Sequence, residues 1–337
     1  MLLPIQVILI PLTIVVKATK LVVYTTKYTP DNGGNMTTSE PRTIAVLGAT
    51  GAQGSGVVAS LKRRGEFLVR ALTRDPSNPV PLADETVALD LDDASTYGAA
   101  LAGVYGVFAN TNSFARPGLD EVAQATSIVD AARAAGVQHY VWSTLPNVEE
   151  ISAARYEVPH FTNKAKVNAS VLEAGFESAT LVEPPFYFQN LISPMYSRQP
   201  GPDGTPSWSQ PMIADAKGMH MGDISEYGNL VSGVFGDPER WGNGERLSFA
   251  GELLSWDDVV STLRSQGHDI GYQQVPAEQW DAANPWGVAV REMFEYFEDY
   301  TYFGPNSADR IEAANEATTT PFTNFSDWAK ENVPPGF

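Results

Sequence analysis

The stretch TIAVLGATGAQGSGVVASL, residues 43–61, constrains the fold of this 337-residue chain more than any other feature. Thr43–Leu47 is an apolar, strand-forming run. It feeds a glycine-rich turn, after which Ala52–Arg64 carries Val57, Val58 and Leu61 on one helical face until Gly65 ends the helix. Gly48, Gly51 and Gly54 fall in the turn and at the helix mouth, giving the spacing GxxGxxG. A strand-to-helix turn of this tightness needs positions without a Cβ, because the backbone must pass close to itself and to a ligand. The helix start then offers unpaired N–H groups and a partial positive charge, which suit a pyrophosphate. A bare glycine pattern is weak, but one set between a strand and a helix in a continuing βαβ pattern is a specific dinucleotide-binding signal.

The rest of the first half continues the alternation. Strands are expected at Phe67–Thr73, Thr86–Leu89, Val104–Ala109, His139–Ser143 and Ser178–Val182, with helices at Ala94–Leu101, Leu119–Ala135 and Phe161–Ala174. This predicts an α/β fold: a Rossmann-type, doubly wound parallel sheet with helices on both faces and a ligand crevice at the strand C-termini. Residues 43–185 are expected to form the cofactor-binding domain. Residues 186–337 are expected to form a smaller α+β lobe interleaved with the sheet. In that lobe, residues 194–211 are rich in Pro, Gly and Ser and read as a loop or lid. Asp223–Phe235 and Ser255–Ser265 read as helices, with a strand near Arg246–Phe249. The aromatic stripe over Met293–Tyr302 reads as helix core or as a pocket wall.

Composition narrows the function. The net charge of −18 disfavours direct contact with nucleic acid, which calls for a basic face, and with an anionic membrane. It leaves an acidic surface that serves solubility or docks a basic protein partner. With no cysteine, disulfides, thiolate zinc sites and thiol catalysis are excluded. The histidines, His139, His160, His220 and His268, show no metal-binding spacing, and no metal is expected. Residues 1–42 read as an extension, disordered or arising from a misassigned start. Their apolar run at 1–16 is too short to span a bilayer, and Met36 opens a second plausible beginning. A cytoplasmic or nuclear setting is expected.

The second strand ends Leu72-Thr73-Arg74-Asp75-Pro76. NAD-specific folds place an acid near this point to hold the ribose 2′-OH, whereas an arginine accommodates a 2′-phosphate. Arg74 therefore predicts NADP(H), with Asp75 one residue beyond as the competing assignment. Asp90, ending the third strand, is placed to meet the adenine amino group, with Leu91 packing on the ring. Asp92 or Asp93 serves as the following helix cap. Asn110, Thr111, Asn112 and Ser113 follow the fourth strand, as crevice lining or simply as a turn.

These residues, with HYVWSTLPN at 139–147, PHFTNK at 159–164 and PPFYFQNLIS at 184–193, together resemble the NmrA-like family, an atypical branch of the short-chain dehydrogenase/reductase superfamily. The likeness covers residues 43–335 and is greatest to the NADPH-sensor and nitrogen metabolite repressor-like branch. It implies NADP(H) contacts at Gly48, Ala49, Thr50, Gly51, Ala52, Gln53 and Gly54. It also implies contacts at Arg74, Asp90, Leu91, Thr111, Asn112, Lys164, Phe186, Tyr187, Phe188 and Gln189. Reductases of the superfamily carry Tyr-x-x-x-Lys on one helix face, tyrosine as proton donor and lysine on the ribose. Here the spacing survives as His160 and Lys164, so histidine stands where tyrosine is expected. A neutral imidazole beside Lys164 is a poor proton donor. Tyr156 is the alternative donor if the helix begins early enough, although Pro159 argues against it. Ser143 falls where the family keeps a carbonyl-orienting serine. Two functions follow: an NADPH/NADP sensor or regulator with weak or no turnover, acting on a transcription factor or metabolic enzyme, or an NADP-dependent reductase of a small carbonyl or unsaturated compound.

Overall fold

Strand residues with apolar side chains in both directions must be covered on two faces, and the central strand meets this demand in full. In the computed structural model, which describes residues 41–284, 287–318 and 320–337, Ile44, Ala45 and Val46 of β1 (Arg42–Leu47) are wholly buried. The expectation for residues 1–42 lies, up to residue 40, outside the described residues. After β1 come α1 (Ala52–Arg64), β2 (Phe67–Thr73), β3 (Glu85–Ala88), α2 (Tyr97–Leu101), β4 (Gly106–Ala109) and α3 (Glu121–Ala134). The first half ends with β5 (His139–Ser143), α4 (Val148–Ile151), α5 (Pro159–Glu173) and β6 (Ser178–Glu183). The second half holds β7 (Phe186–Tyr187), β8 (Gln199–Pro200), β9 (Pro206–Gln210), β10 (Met219–Gly222), α6 (Tyr227–Gly236), α7 (Pro238–Trp241) and β11 (Asn243–Ser248). It closes with β12 (Glu252–Leu254), α8 (Trp256–Ser265), β13 (Gly271–Gln274), α9 (Ala277–Ala283), α10 (Gly287–Tyr300), α11 (Ala308–Ala317) and α12 (Phe325–Asn332).

A seven-stranded parallel sheet runs in the order β11-β6-β5-β4-β1-β2-β3. Chain direction across the sheet reverses between β1 and β4, so the crevice of a doubly wound fold opens at their C-terminal ends. Ile44 and Val46 point to one face with α1, α6 and α11, while Ala45 and Leu47 point to the other with α2, α3 and α5. Each large side chain buried in these layers contributes roughly 1.5–3 kcal/mol. The lobe is interleaved with the sheet: β11 pairs in parallel with β6, and residues Pro41–Phe337 form one unit.

Element ends shift modestly from the sequence reading. Helix α5 begins at Pro159 rather than Phe161, because proline at the first helical position gives up an N–H that has no partner there. The expectation of a loop or lid over 194–211 is corrected. The segment contains β8 and β9 in a three-stranded sheet with β13, and Trp208 is fully buried against Trp256. The anchoring by Trp208 outweighs the local Pro and Gly content. The Met293–Tyr302 stripe lies on α10 and its end, with Met293, Phe294, Tyr296 and Phe297 buried in the lobe core. Among the described residues no helix is long and apolar enough to cross a membrane.

Helices α1 and α6 approach so closely that a Cβ on Gly228 would lie 2.1 Å from the carbonyl oxygen of Gly56. Gly228→Ala must push two helix backbones apart and is expected to cost about 1–3 kcal/mol in urea unfolding. Gly98→Ala, where nothing lies within 4 Å, should be neutral or slightly stabilising. Equal stability of the two variants would contradict this packing.

Candidate functional site

The glycine loop is built by backbone contact. Gly48 takes φ +71°, in the left-handed region, and a Cβ on Gly54 would fall 2.2 Å from the Gly48 carbonyl oxygen. Gly51 is the extended N-cap of α1, with no side chain capping it and no acid in the first turn, while Lys62, Arg63 and Arg64 occupy the last. The helix start is thus left open toward the crevice, the arrangement an anion needs. Ala49 is fully buried, whereas Gly48, Thr50, Gly51 and Ala52 are exposed.

Gln53 in the same turn is buried and does something the sequence did not suggest. Its Nε2 donates to the Tyr187 hydroxyl at 2.7 Å, and its Oε1 accepts from Ser143 Oγ at 2.8 Å. Tyr227 on α6, a residue the sequence reading missed, shares its one hydroxyl proton between Ser143 Oγ at 3.1 Å and the Val182 carbonyl at 3.2 Å. A polar chain therefore ties α1, β5, β7 and α6 together across the ends of the strands. Ser143, 1% exposed, uses its own proton on Gln53 and so ties the end of β5 to the loop.

Just past the end of β2, Arg74 is exposed and no hydrogen bond of it is seen among the described residues. Asp75 is turned onto its own loop, accepting from Ser77 N, Ser77 Oγ and Asn78 Nδ2, and these bonds hold its carboxyl below the usual range. Asp90 accepts from Asp92 N at 3.0 Å, and Asp93 caps the following turn through Ser95 N. Leu91 is half-buried, its carbonyl accepting from Tyr97. Asn112 is exposed and closes a turn onto Phe114 N.

The lysine lies at the end of β4. Lys164 Nζ donates to the Thr111 carbonyl at 2.6 Å, Glu121 Oε1 at 2.8 Å, Thr111 Oγ1 at 3.1 Å and Asn110 Oδ1 at 3.3 Å. Glu121, missed in the sequence because an acid after Asp120 reads as part of a helix cap, is 1% exposed and also accepts from Thr111 Oγ1 and Ser113 Oγ. Burial lowers the Lys164 ammonium, and Glu121 counters that. Burial also works to raise Glu121, but the Lys164 charge and these hydrogen bonds outweigh it and hold the carboxyl below its usual value.

His160 stands one turn before Lys164, half-buried. Its Nε2 lies 3.5 Å from Met293 Sδ, and its ring packs on Phe114 and Phe161. Desolvation lowers its pKa to about 4; the Lys164 charge acts the same way, and Glu121 opposes them. Burial, more than the Lys164 charge, accounts for this lowering, and the imidazole is neutral at pH 7. Tyr156 precedes α5 and donates to Asp299 Oδ2 at 2.7 Å, so it does not replace the missing tyrosine. Of the 186–189 segment, Tyr187 reaches the loop through Gln53. Gln189 bonds Asp223 and Ile224 N. Phe186 is buried, as is Phe188, fully enclosed against Phe325 and Trp328. The expectation of a cofactor contact at Phe188 is therefore corrected to a core role.

A histidine whose folded pKa lies below its unfolded value of 6.5 stabilises the fold fully above pH 6.5, and that stability is lost as pH falls toward about 4. An NMR titration of the His160 ring should find a midpoint near 4, and His160→Phe should make stability less acid-sensitive between those values. A midpoint near 6.5 would contradict the buried, neutral ring.

Comparison with known proteins agrees with this geometry. The NmrA-like family model matches residues 40–329. An NmrA-like family domain-containing oxidoreductase of Aspergillus hancockii, hkm9, is 30% identical over 81% of this chain and 88% of its own. The nitrogen metabolite repression protein nmrA of Emericella nidulans is 27% identical, covering 80% of this chain and 77% of its own. The crystal structure of NmrA, a negative transcriptional regulator, in complex with NADP superposes with a TM-score of 0.70 at 24% identity, over 88% of this chain and 96% of that one. NmrA has also been solved in complex with NAD. Matched along most of its length in sequence and in fold, the chain belongs to the NmrA-like family.

Proposed function

We propose that this chain binds NADP(H) in the crevice between the ends of β1 and β4 and reports cofactor occupancy with little or no turnover of simple carbonyls. The open N-terminus of α1 receives the pyrophosphate, Arg74 the 2′-phosphate, and Lys164 the nicotinamide ribose. NADP would supply hydride transfer when bound, and the residues around it decide whether a proton can follow. The observation that carries the weak-turnover reading is His160: a neutral imidazole facing Met293 Sδ in place of the tyrosine that donates a proton in active relatives of the superfamily. The net charge of −18 gives an acidic surface for a protein partner such as a transcription factor or metabolic enzyme. A reductase of a small carbonyl or unsaturated compound is the second reading, favoured by relatives named as oxidoreductases.

Calorimetric titration of the full chain with NADP⁺, NADPH and NAD⁺ tests the first part. NADP(H) should bind more tightly than NAD⁺. Arg74→Ala should weaken NADP⁺ by about tenfold or more, the worth of a charge-assisted bond, and leave NAD⁺ unaffected. With a panel of carbonyl compounds, NADPH should not be consumed, and His160→Phe should change nothing. Consumption that disappears in His160→Phe would establish the reductase instead, and absence of binding would overturn the cofactor reading.

A further inference from the structure

Glu121 has no role in the readings above, yet it is a buried acid beside Lys164 at the end of β4. It is 1% exposed, and three side chains converge on it: Lys164 and Thr111 on Oε1, Ser113 on Oε2. Such burial of a carboxylate is unfavourable unless a cation and hydrogen bonds compensate, and the same holds for the lysine it meets. Each charge is therefore the condition for the other. Glu121 is also the first residue of α3, where the helix dipole favours a negative charge, while Asp120 caps the helix separately through Ala123 N. The carboxylate is thus free of capping duty and directed at Lys164.

The ammonium has three protons and four acceptors within reach, of which Asn110 Oδ1, at 3.3 Å, is the longest. A ribose hydroxyl can take the place of Asn110 without disturbing Glu121 or Thr111. We propose that Glu121 is a positioning residue that keeps Lys164 cationic and holds Nζ at the end of β4, so that the dinucleotide ribose meets an oriented ammonium. This rests on the reading that the crevice binds NADP(H). The charged or titratable groups facing Lys164 are Glu121 on α3 and His160 on α5, and the latter is neutral at pH 7. Its other neighbours, Asn110, Thr111 and the Trp142 ring of β5, carry no charge.

The test is fluorescence titration of the full chain with NADPH from about pH 6 to about pH 9, comparing wild type with Glu121→Gln, with folding followed by circular dichroism. Without the carboxylate the buried lysine loses its proton earlier. Glu121→Gln should therefore bind nearly as wild type at the acidic end and lose affinity at the basic end, its basic limb moved down by about one pH unit or more. A parallel pH profile in Glu121→Gln, whether affinity is equal or uniformly reduced, would overturn the proposal. If Glu121→Gln does not fold, Glu121→Asp carries the test. It keeps the charge on a shorter stem, so its basic limb should stay where the wild type has it while overall affinity falls. A limb that moves in Glu121→Asp would overturn the proposal. Wild type that fails to bind NADPH would sink the cofactor reading, whereas normal wild-type binding with an unmoved Glu121→Gln profile would sink this inference alone.

Discussion

The contact between Gly54 and the Gly48 carbonyl sets the position of everything at the crevice. With no room for even a methyl group between them, the first turn of α1 is seated directly on the end of β1. This leaves the helix uncapped at its N-terminus and brings Gln53 under the strand ends, where Ser143 and Tyr187 meet it. Further along the same helix, Gly56 meets Gly228, so α1 and α6 pack backbone to backbone and Tyr227 reaches Ser143. The polar chain of Gln53, Ser143, Tyr187 and Tyr227 is satisfied within the protein, and the start of α1 has no side-chain cap.

On the far side of the crevice the organising element is electrostatic. Lys164 and Glu121 share a buried site in which neither charge stands alone, and breaking a pair of this kind by removing one partner typically costs about 3–5 kcal/mol. The pair sits one helical turn from a histidine that burial keeps neutral. The resemblance to short-chain reductases implies a tyrosine four residues before the lysine, and His160 stands at that position. Here the lysine is coupled to a carboxylate, and the histidine to a thioether. Lys164 is thus held by polar partners, whereas His160 packs on Met293, Phe114 and Phe161.

Much of this was legible in the residues. The inner strands β1, β4, β5 and β6 are short runs largely buried on both faces, and glycine spacing marks the loop after β1. The family resemblance singles out Lys164, four residues after His160, and the end of β2 singles out Arg74, which the structure leaves exposed. What was not legible depends on distance in the chain. Tyr227 is separated from Ser143 by 84 residues and sits in a mostly apolar helix that gives no sign of a polar partner on β5. Glu121 looked like one more acid at a helix start. Phe188 was assigned by its neighbours in a segment whose side chains point in different directions, and only the fold separates Tyr187 at the loop from Phe188 in the core. The small sheets of the lobe escaped because strands of two to five residues leave too little periodicity, and a buried Trp208 overrides the Pro and Gly around it.

The central claim is that the β1/β4 crevice holds NADP(H), and a crystal structure of the chain grown with NADP⁺ tests it most directly. The account predicts the pyrophosphate over the amides of Gly51–Gly54, the 2′-phosphate within hydrogen-bonding reach of Arg74, and the nicotinamide ribose on Lys164 with the Glu121 contact kept. A dinucleotide bound elsewhere, or a Lys164 that leaves Glu121 to reach the ribose, would contradict it.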